Sequence, residues 1–130
     1  MSKIICGFAG IGKSHAAKNI PGVVDLESTP FDKDWDRYAK VVTHMLNNGY
    51  TVLLSCHKEL RDKLREIGTP YFVYIPDINK KSEYMQRYKA RGNTEAFVDL
   101  LDKNWGSWIT DIQEDEAAVF TVNEFLDDRL

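Results

Sequence analysis

The sequence predicts an α/β protein, built on a parallel β-sheet with helices covering both faces. Three observations carry that expectation. Short apolar runs and helix-forming segments alternate five times along the chain. The run at residues 50–56 is almost continuously apolar, as in a strand buried on both faces. A glycine-rich turn joins the first apolar run directly to the first helix-forming segment. Alternation of this kind implies right-handed crossovers between parallel strands.

Residues 4–9 form the first strand, and the glycine turn follows. Residues 13–20 favour helix, and Pro21-Gly22 stops it. Residues 23–27 read as the second strand, closed by the turn signal Ser28-Thr29-Pro30. From Asp34 to Asn48, Trp35, Tyr38, Val41, Val42, Met45 and Leu46 recur at helical spacing. Residues 50–56, rich in apolar and β-branched types, are the third strand. A short charged helix at 58–67 ends at Gly68, and a fourth strand at 71–75 ends at Pro76-Asp77. Residues 80–91 make a basic helix, broken by Gly92-Asn93. A long helix, capped by Asn93 or Thr94 and weakened at Gly106, runs to about residue 113. A fifth strand at 117–122 and a short acidic terminal helix complete the expected order.

With 130 residues the chain holds one domain, spanning 1–130. Its formal charge of −3 argues against general nucleic-acid binding, although residues 80–91 are locally basic. Cys6 and Cys56 lie in apolar runs and read as small buried residues, not as a disulfide framework. Reduced thiols fit a cytoplasmic location. No leader is expected, because the glycine motif starts within a few residues of Met1. No apolar run approaches the ~20 residues that span a bilayer, so no membrane association is expected.

Gly7-Phe8-Ala9-Gly10-Ile11-Gly12-Lys13-Ser14 fits GxxxxGK[ST] at every fixed position. Glycines let the backbone approach phosphate closely, and successive N–H groups, Ile11 among them, can then hold phosphate oxygens. The helix opening at Lys13 adds its positive end. Lys13 can reach the β- and γ-phosphates of ATP, and Ser14 can ligate Mg²⁺. His15, next in the chain, belongs to the same nucleotide-binding stretch; neither it nor His44 has metal-ligand spacing.

Asp25 and Glu27 stand two apart at the end of the second strand, a spacing that points both carboxylates the same way. Asp25 can hold a water on Mg²⁺, and Glu27 can bind an acceptor hydroxyl or a base edge. The alternative is a pair of solvated strand-end acids. Arg87 and Arg91 lie four apart on the basic helix and share a face. Arginines so placed can stabilise charge on a phosphoryl group in transfer; the alternative is a solvated basic helix.

On GFAGIGKS, on the Asp25-Leu26-Glu27 acids and on the Arg87/Arg91 helix, the chain resembles the P-loop kinases of the nucleoside monophosphate kinase and shikimate/gluconate kinase group. It is also similar to the small adenylate kinase-like proteins of bacteriophages. The resemblance implies a P-loop NTPase fold, a three-layer α/β/α sandwich with strand order 2-3-1-4-5. It implies a short lid at about 79–93 and an acceptor-binding region at about 28–48. Beside the acceptor it places Arg37 and Arg61 as phosphate ligands and His57 as a polar contact; a capping role is the alternative for His57. Phe31, Trp35 and Tyr38 either stack on a nucleobase or form a core stripe. Trp105, Trp108, Ile109 and Ile112 read as core. The third strand ends Leu54-Ser55-Cys56-His57, without the Mg²⁺-linked aspartate that many such enzymes carry there, which puts more weight on Asp25 or water.

The implied function is Mg²⁺-dependent transfer of the ATP γ-phosphoryl to a nucleoside or deoxynucleoside monophosphate. Lys13, Arg87 and Arg91 would act on the moving group, and Asp25, Glu27, Arg37, His57 and Arg61 on the acceptor. A hydroxylated small-molecule acceptor, with Asp25 or Glu27 as base, is the second expectation. A nucleotide-binding regulator with little turnover is the third. The expected location is the cytoplasm, that of the host if the protein is viral.

Overall fold

A computed structural model describes residues 3–27 and 29–122. Its elements are β1 (Ile4–Gly7), α1 (Lys13–Asn19), β2 (Val23–Asp25), α2 (Trp35–Asn47), β3 (Thr51–Ser55), α3 (Lys58–Glu66), β4 (Phe72–Pro76), α4 (Lys81–Ala90), α5 (Glu95–Gln113) and β5 (Ala118–Val122). Short 3₁₀ turns occupy Thr29–Phe31 and Ile78–Lys80. The five strands form one parallel sheet in the order β2-β3-β1-β4-β5, consistent with a three-layer sandwich. The expected acidic terminal helix lies outside the described residues. Among those residues, no helix is long and apolar enough to cross a membrane.

The sheet is most deeply buried at its centre. Ile4, Ile5 and Cys6 of β1 pair with Val52, Leu53 and Leu54 of β3, and all six are buried. This is the burial that an unbroken apolar run requires. β2 is shorter than expected: it ends at Asp25, and Leu26 adds one further bond to Leu53 O at 3.0 Å. Glu27 therefore stands beyond the strand, and strand alternation does not align it with Asp25.

Each long helix buries the stripe that its sequence carries. α2 starts where Asp34 accepts a hydrogen bond from Arg37 N at 3.2 Å, and it buries Tyr38, Ala39 and Val42. Thr94 caps α5 by accepting from Phe97 N at 3.2 Å. α5 buries Val98, Leu101, Trp105, Ile109 and Ile112, and Gly106 does not break it. Trp105 Nε1 donates to Ile78 O at 2.8 Å, fixing the helix to the turn after β4.

A polar junction ties α3, the start of β4 and the α5–β5 connection together. Asp115 Oδ2 accepts from Arg61 at 2.5 Å and from Arg65 at 2.9 Å. Asp115 Oδ1 accepts from Tyr71 Oη and from Ala117 N, each at 2.8 Å. Arg61 Nε also donates to Cys56 O at 3.2 Å. The Arg61 and Asp115 side chains are 5% and 1% exposed. Arg61, expected beside the acceptor as a phosphate ligand, is a buried arginine already paired with a carboxylate. Its place in the chain explains this: it sits one residue after Leu60 on the face that α3 turns inward.

Burial alone would push the Asp115 carboxyl up, but the bonds from Ala117 N–H, Tyr71 and Arg61, and the Arg61 charge, hold it below its ordinary value. The stability this contributes is present above the unfolded aspartate value of about 3.9 and is lost as pH falls through the depressed folded value. Two outcomes are expected in urea denaturation. Arg61→Ala lowers the unfolding free energy by about 2 kcal/mol, because it removes one of the two cations paired with buried Asp115 and leaves Arg65 as the other. Asp115→Asn lowers it at pH 7 and flattens its acid dependence below about pH 4.

Candidate active site

β1 delivers the chain to a tight loop at the carboxyl ends of the central strands. Phe8 N still bonds Tyr74 O at 3.0 Å, and the chain then turns through Gly10 at φ +86° and Gly12 at φ +100°. These are left-handed conformations that residues with a Cβ resist. A Cβ on Gly10 would also lie 2.6 Å from the Tyr88 ring. At Gly7 the constraint is space, since a Cβ there would lie 2.6 Å from Ile11 Cδ1. Ile11 itself is fully buried beneath the loop.

Lys13 and Ser14 open α1 beside this loop. Lys13 Nζ donates to Gly7 O at 2.8 Å and to Phe8 O at 3.4 Å. Burial pushes its pKa down; Cys56 and Asp25 oppose that shift, and the Arg91 charge reinforces it. Exposed Arg91 therefore acts electrostatically on Lys13. Ser14 Oγ donates to Asp25 Oδ2 at 3.0 Å, so the end of β2 meets the start of α1. His15 is exposed, with Asn19 Nδ2 3.3 Å from its Nδ1.

α4 braces the loop. Arg87 Nη1 donates to Gly10 O at 2.5 Å, and its guanidinium lies 4.3 Å from the Tyr84 ring centroid. Tyr88 Oη donates to Ala9 O at 2.6 Å. Tyr84 and Tyr88, both fully buried, anchor the helix. The segment expected as a lid is thus a packed support over α4, and Arg87 positions the loop carbonyls. Nothing in the sequence motif points to Tyr88.

The residues expected around the acceptor divide. Tyr38 is core, donating to Leu26 O, and burial, Cys6, Asp25 and Glu27 all push its phenol up. Both acids therefore act on one hydroxyl even though β2 ends at Asp25. Exposed Arg37 places its guanidinium 5.5 Å from the Phe31 ring centroid. His57 occupies the N-cap of α3 without a side-chain cap bond, 5.3 Å from the Trp35 ring. Burial pushes its pKa below the ordinary histidine value, which keeps it neutral at pH 7. Cys56 is only half-buried, its thiol pushed up to about 11 by burial.

A cavity of about 620 Å³ opens between the loop and α5. Gly7, Lys13, Ser55, Cys56 and His57 line one side, and Phe97, Leu100, Trp108 and Asp111 the other. It sits where connections from β1 and β3 leave in opposite directions, the usual ligand position in open α/β sheets. Phe31, Trp35 and Arg37 do not line it. Trp108, expected in the core, is 38% exposed and belongs to this wall. Phe97, Leu100 and Trp108 lie off the stripe that α5 buries, on a second apolar face that helical spacing alone does not set apart.

Among the described residues, no three His, Cys, Asp or Glu side chains group to hold a metal. Ser14 Oγ and Asp25 Oδ2 do offer two adjacent oxygens. That suits Mg²⁺, which keeps several waters and takes few protein ligands.

Gly10→Ala is expected to lower the melting temperature more than Gly22→Ala. Both sites have positive φ, but a Cβ at Gly22 meets nothing within 4 Å. The difference, on the order of 1–3 kcal/mol, isolates the collision with Tyr88; equal losses would deny that contact. Comparison of the chain with protein-family models, with curated proteins and with solved structures finds no match.

Proposed function

We propose that the chain is an ATP- and Mg²⁺-dependent phosphotransferase with a P-loop NTPase fold, of the nucleotide kinase kind. The loop geometry carries this reading. Two left-handed glycines turn residues 7–12 back on β1, Lys13 folds over the loop, and Ser14 stands 3.0 Å from Asp25. Loop amides and the Lys13 ammonium would hold phosphate oxygens. Ser14 and Asp25 would hold Mg²⁺, directly or through water. Bound Mg²⁺ supplies neutralising charge at the β- and γ-oxygens. Arg91 adds positive potential beside Lys13, and Arg87 keeps the loop in shape.

For the acceptor, a nucleoside or deoxynucleoside monophosphate is the first reading, with exposed Arg37 as its phosphate ligand. A hydroxylated acceptor is the second, and one observation favours it: Arg61 is already neutralised by Asp115. A hydroxyl acceptor must lose a proton, so it needs a base nearby, which a carboxylate can supply.

Lys13→Ala should lower Mg²⁺·ATP-dependent ADP release at least about a hundredfold while the far-ultraviolet spectrum stays unchanged. Release at the wild-type rate in the folded variant would sink the proposal.

A further inference from the structure

α5 carries two apolar faces. One is buried in the core; the other sets Phe97, Leu100 and Trp108, at 37%, 50% and 38% exposure, along the cavity wall opposite the glycine loop. Exposed apolar groups gathered on a concave, polar-rimmed surface mark a binding site. The wall is held in register with the loop. Phe97 meets the Tyr88 ring edge-on at 5.8 Å, and Tyr88 bonds Ala9 O. A volume of about 620 Å³ is ample for a small organic ligand.

The charged groups choose among ligands. Three cations line the cavity, but Arg61 is paired with Asp115, and Lys58 with Asp62 at 3.0 Å. Lys13 is the cation of the phosphate loop. Glu59 and Asp111 bring two carboxylates to the same lining. A monophosphate would set its own negative charge against them, whereas hydroxyls would donate to them.

We infer that this cavity binds a neutral, planar heterocycle bearing hydroxyl groups, a nucleoside in chemical class. Trp108, Phe97 and Leu100 contact its ring, and Glu59 and Asp111 accept from its hydroxyls. The inference rests on the phosphotransferase reading and fixes its acceptor. An acceptor hydroxyl oxygen forms a bond to the γ-phosphorus of ATP as the bond from that phosphorus to the β,γ-bridging oxygen breaks. ADP leaves with the electron pair, and the hydroxyl proton passes to Glu59. Asp25 is engaged by Ser14, and Glu27 does not line the cavity.

The test pairs Mg²⁺·ATP calorimetry with ADP-release kinetics, using the common nucleosides and deoxynucleosides and their 5′-monophosphates as acceptors. At least one nucleoside should raise ADP release more than about tenfold over no acceptor and exceed its own monophosphate. Trp108→Ala should raise the KM for that nucleoside about tenfold and leave the Kd for Mg²⁺·ATP unchanged. Trp108→Phe, which keeps a ring, should recover most of the loss. A monophosphate that equals or exceeds its nucleoside overturns the inference, as does an unchanged KM in Trp108→Ala. Mg²⁺·ATP binding with no nucleoside accepted defeats the inference and leaves the phosphotransferase reading standing. Absence of Mg²⁺·ATP affinity defeats both.

Discussion

Hydrogen bonding of β1 to β3 on one edge and to β4 on the other holds the strand through Gly7, with one last bond from Phe8 N to Tyr74 O. Ile4, Ile5 and Cys6 are sealed on both faces, so the chain can leave only at the carboxyl end. There it must turn at once to start α1, and the turn is tight enough to need two glycines with positive φ. The loop is thus a consequence of where β1 sits. So are the residues beside it, because β2 and β3 end at the same edge of the sheet and bring Asp25 and His57 with them.

Two sets of contacts keep that edge in shape. α4 holds the loop from one side through Arg87 and Tyr88, which reach Gly10 and Ala9 across nearly eighty residues of chain. The Tyr88 bond is neutral and worth about 1 kcal/mol, and the Arg87 bond is charge-assisted and worth about 1.5–3 kcal/mol; together they fix the geometry of the loop. The Asp115 junction acts farther out. Both of its carboxylate oxygens are satisfied, the condition under which a buried charge is tolerated. It joins the end of β3 and α3 to the approach of β5.

The architecture was largely legible in the sequence. Within the described residues the strand and helix types and the parallel sheet appear in the structure, as does the strand order that the resemblance implied, and most boundaries differ by one or two residues. The glycine loop was legible for the same local reason, since its residues are contiguous and their backbone demands are specific. The surroundings were not. Arg61 looked like an available cation because Asp115, its partner, lies fifty-four residues away. Glu27 looked aligned with Asp25 because the local turn signal Ser28-Thr29-Pro30 comes only after Glu27, whereas β2 ends at Asp25. Trp108 looked like core because helical spacing does not tell which of two apolar faces meets the sheet. For Arg61 a long-range contact decided the outcome, and periodicity carries no information about such contacts.

The hydrogen bonds from α4 to the loop carbonyls bear on the thermodynamics of ligand capture. A free glycine turn would have many conformations to give up, and every anion it seized would carry that cost. Here Ala9 and Gly10 are already tethered, and Ile11 is packed below them. The entropy of ordering is met during folding, before any ligand arrives. On the phosphotransferase reading proposed above, the amides of the turn would meet a phosphate preorganised, as the lining of a rigid receptor would.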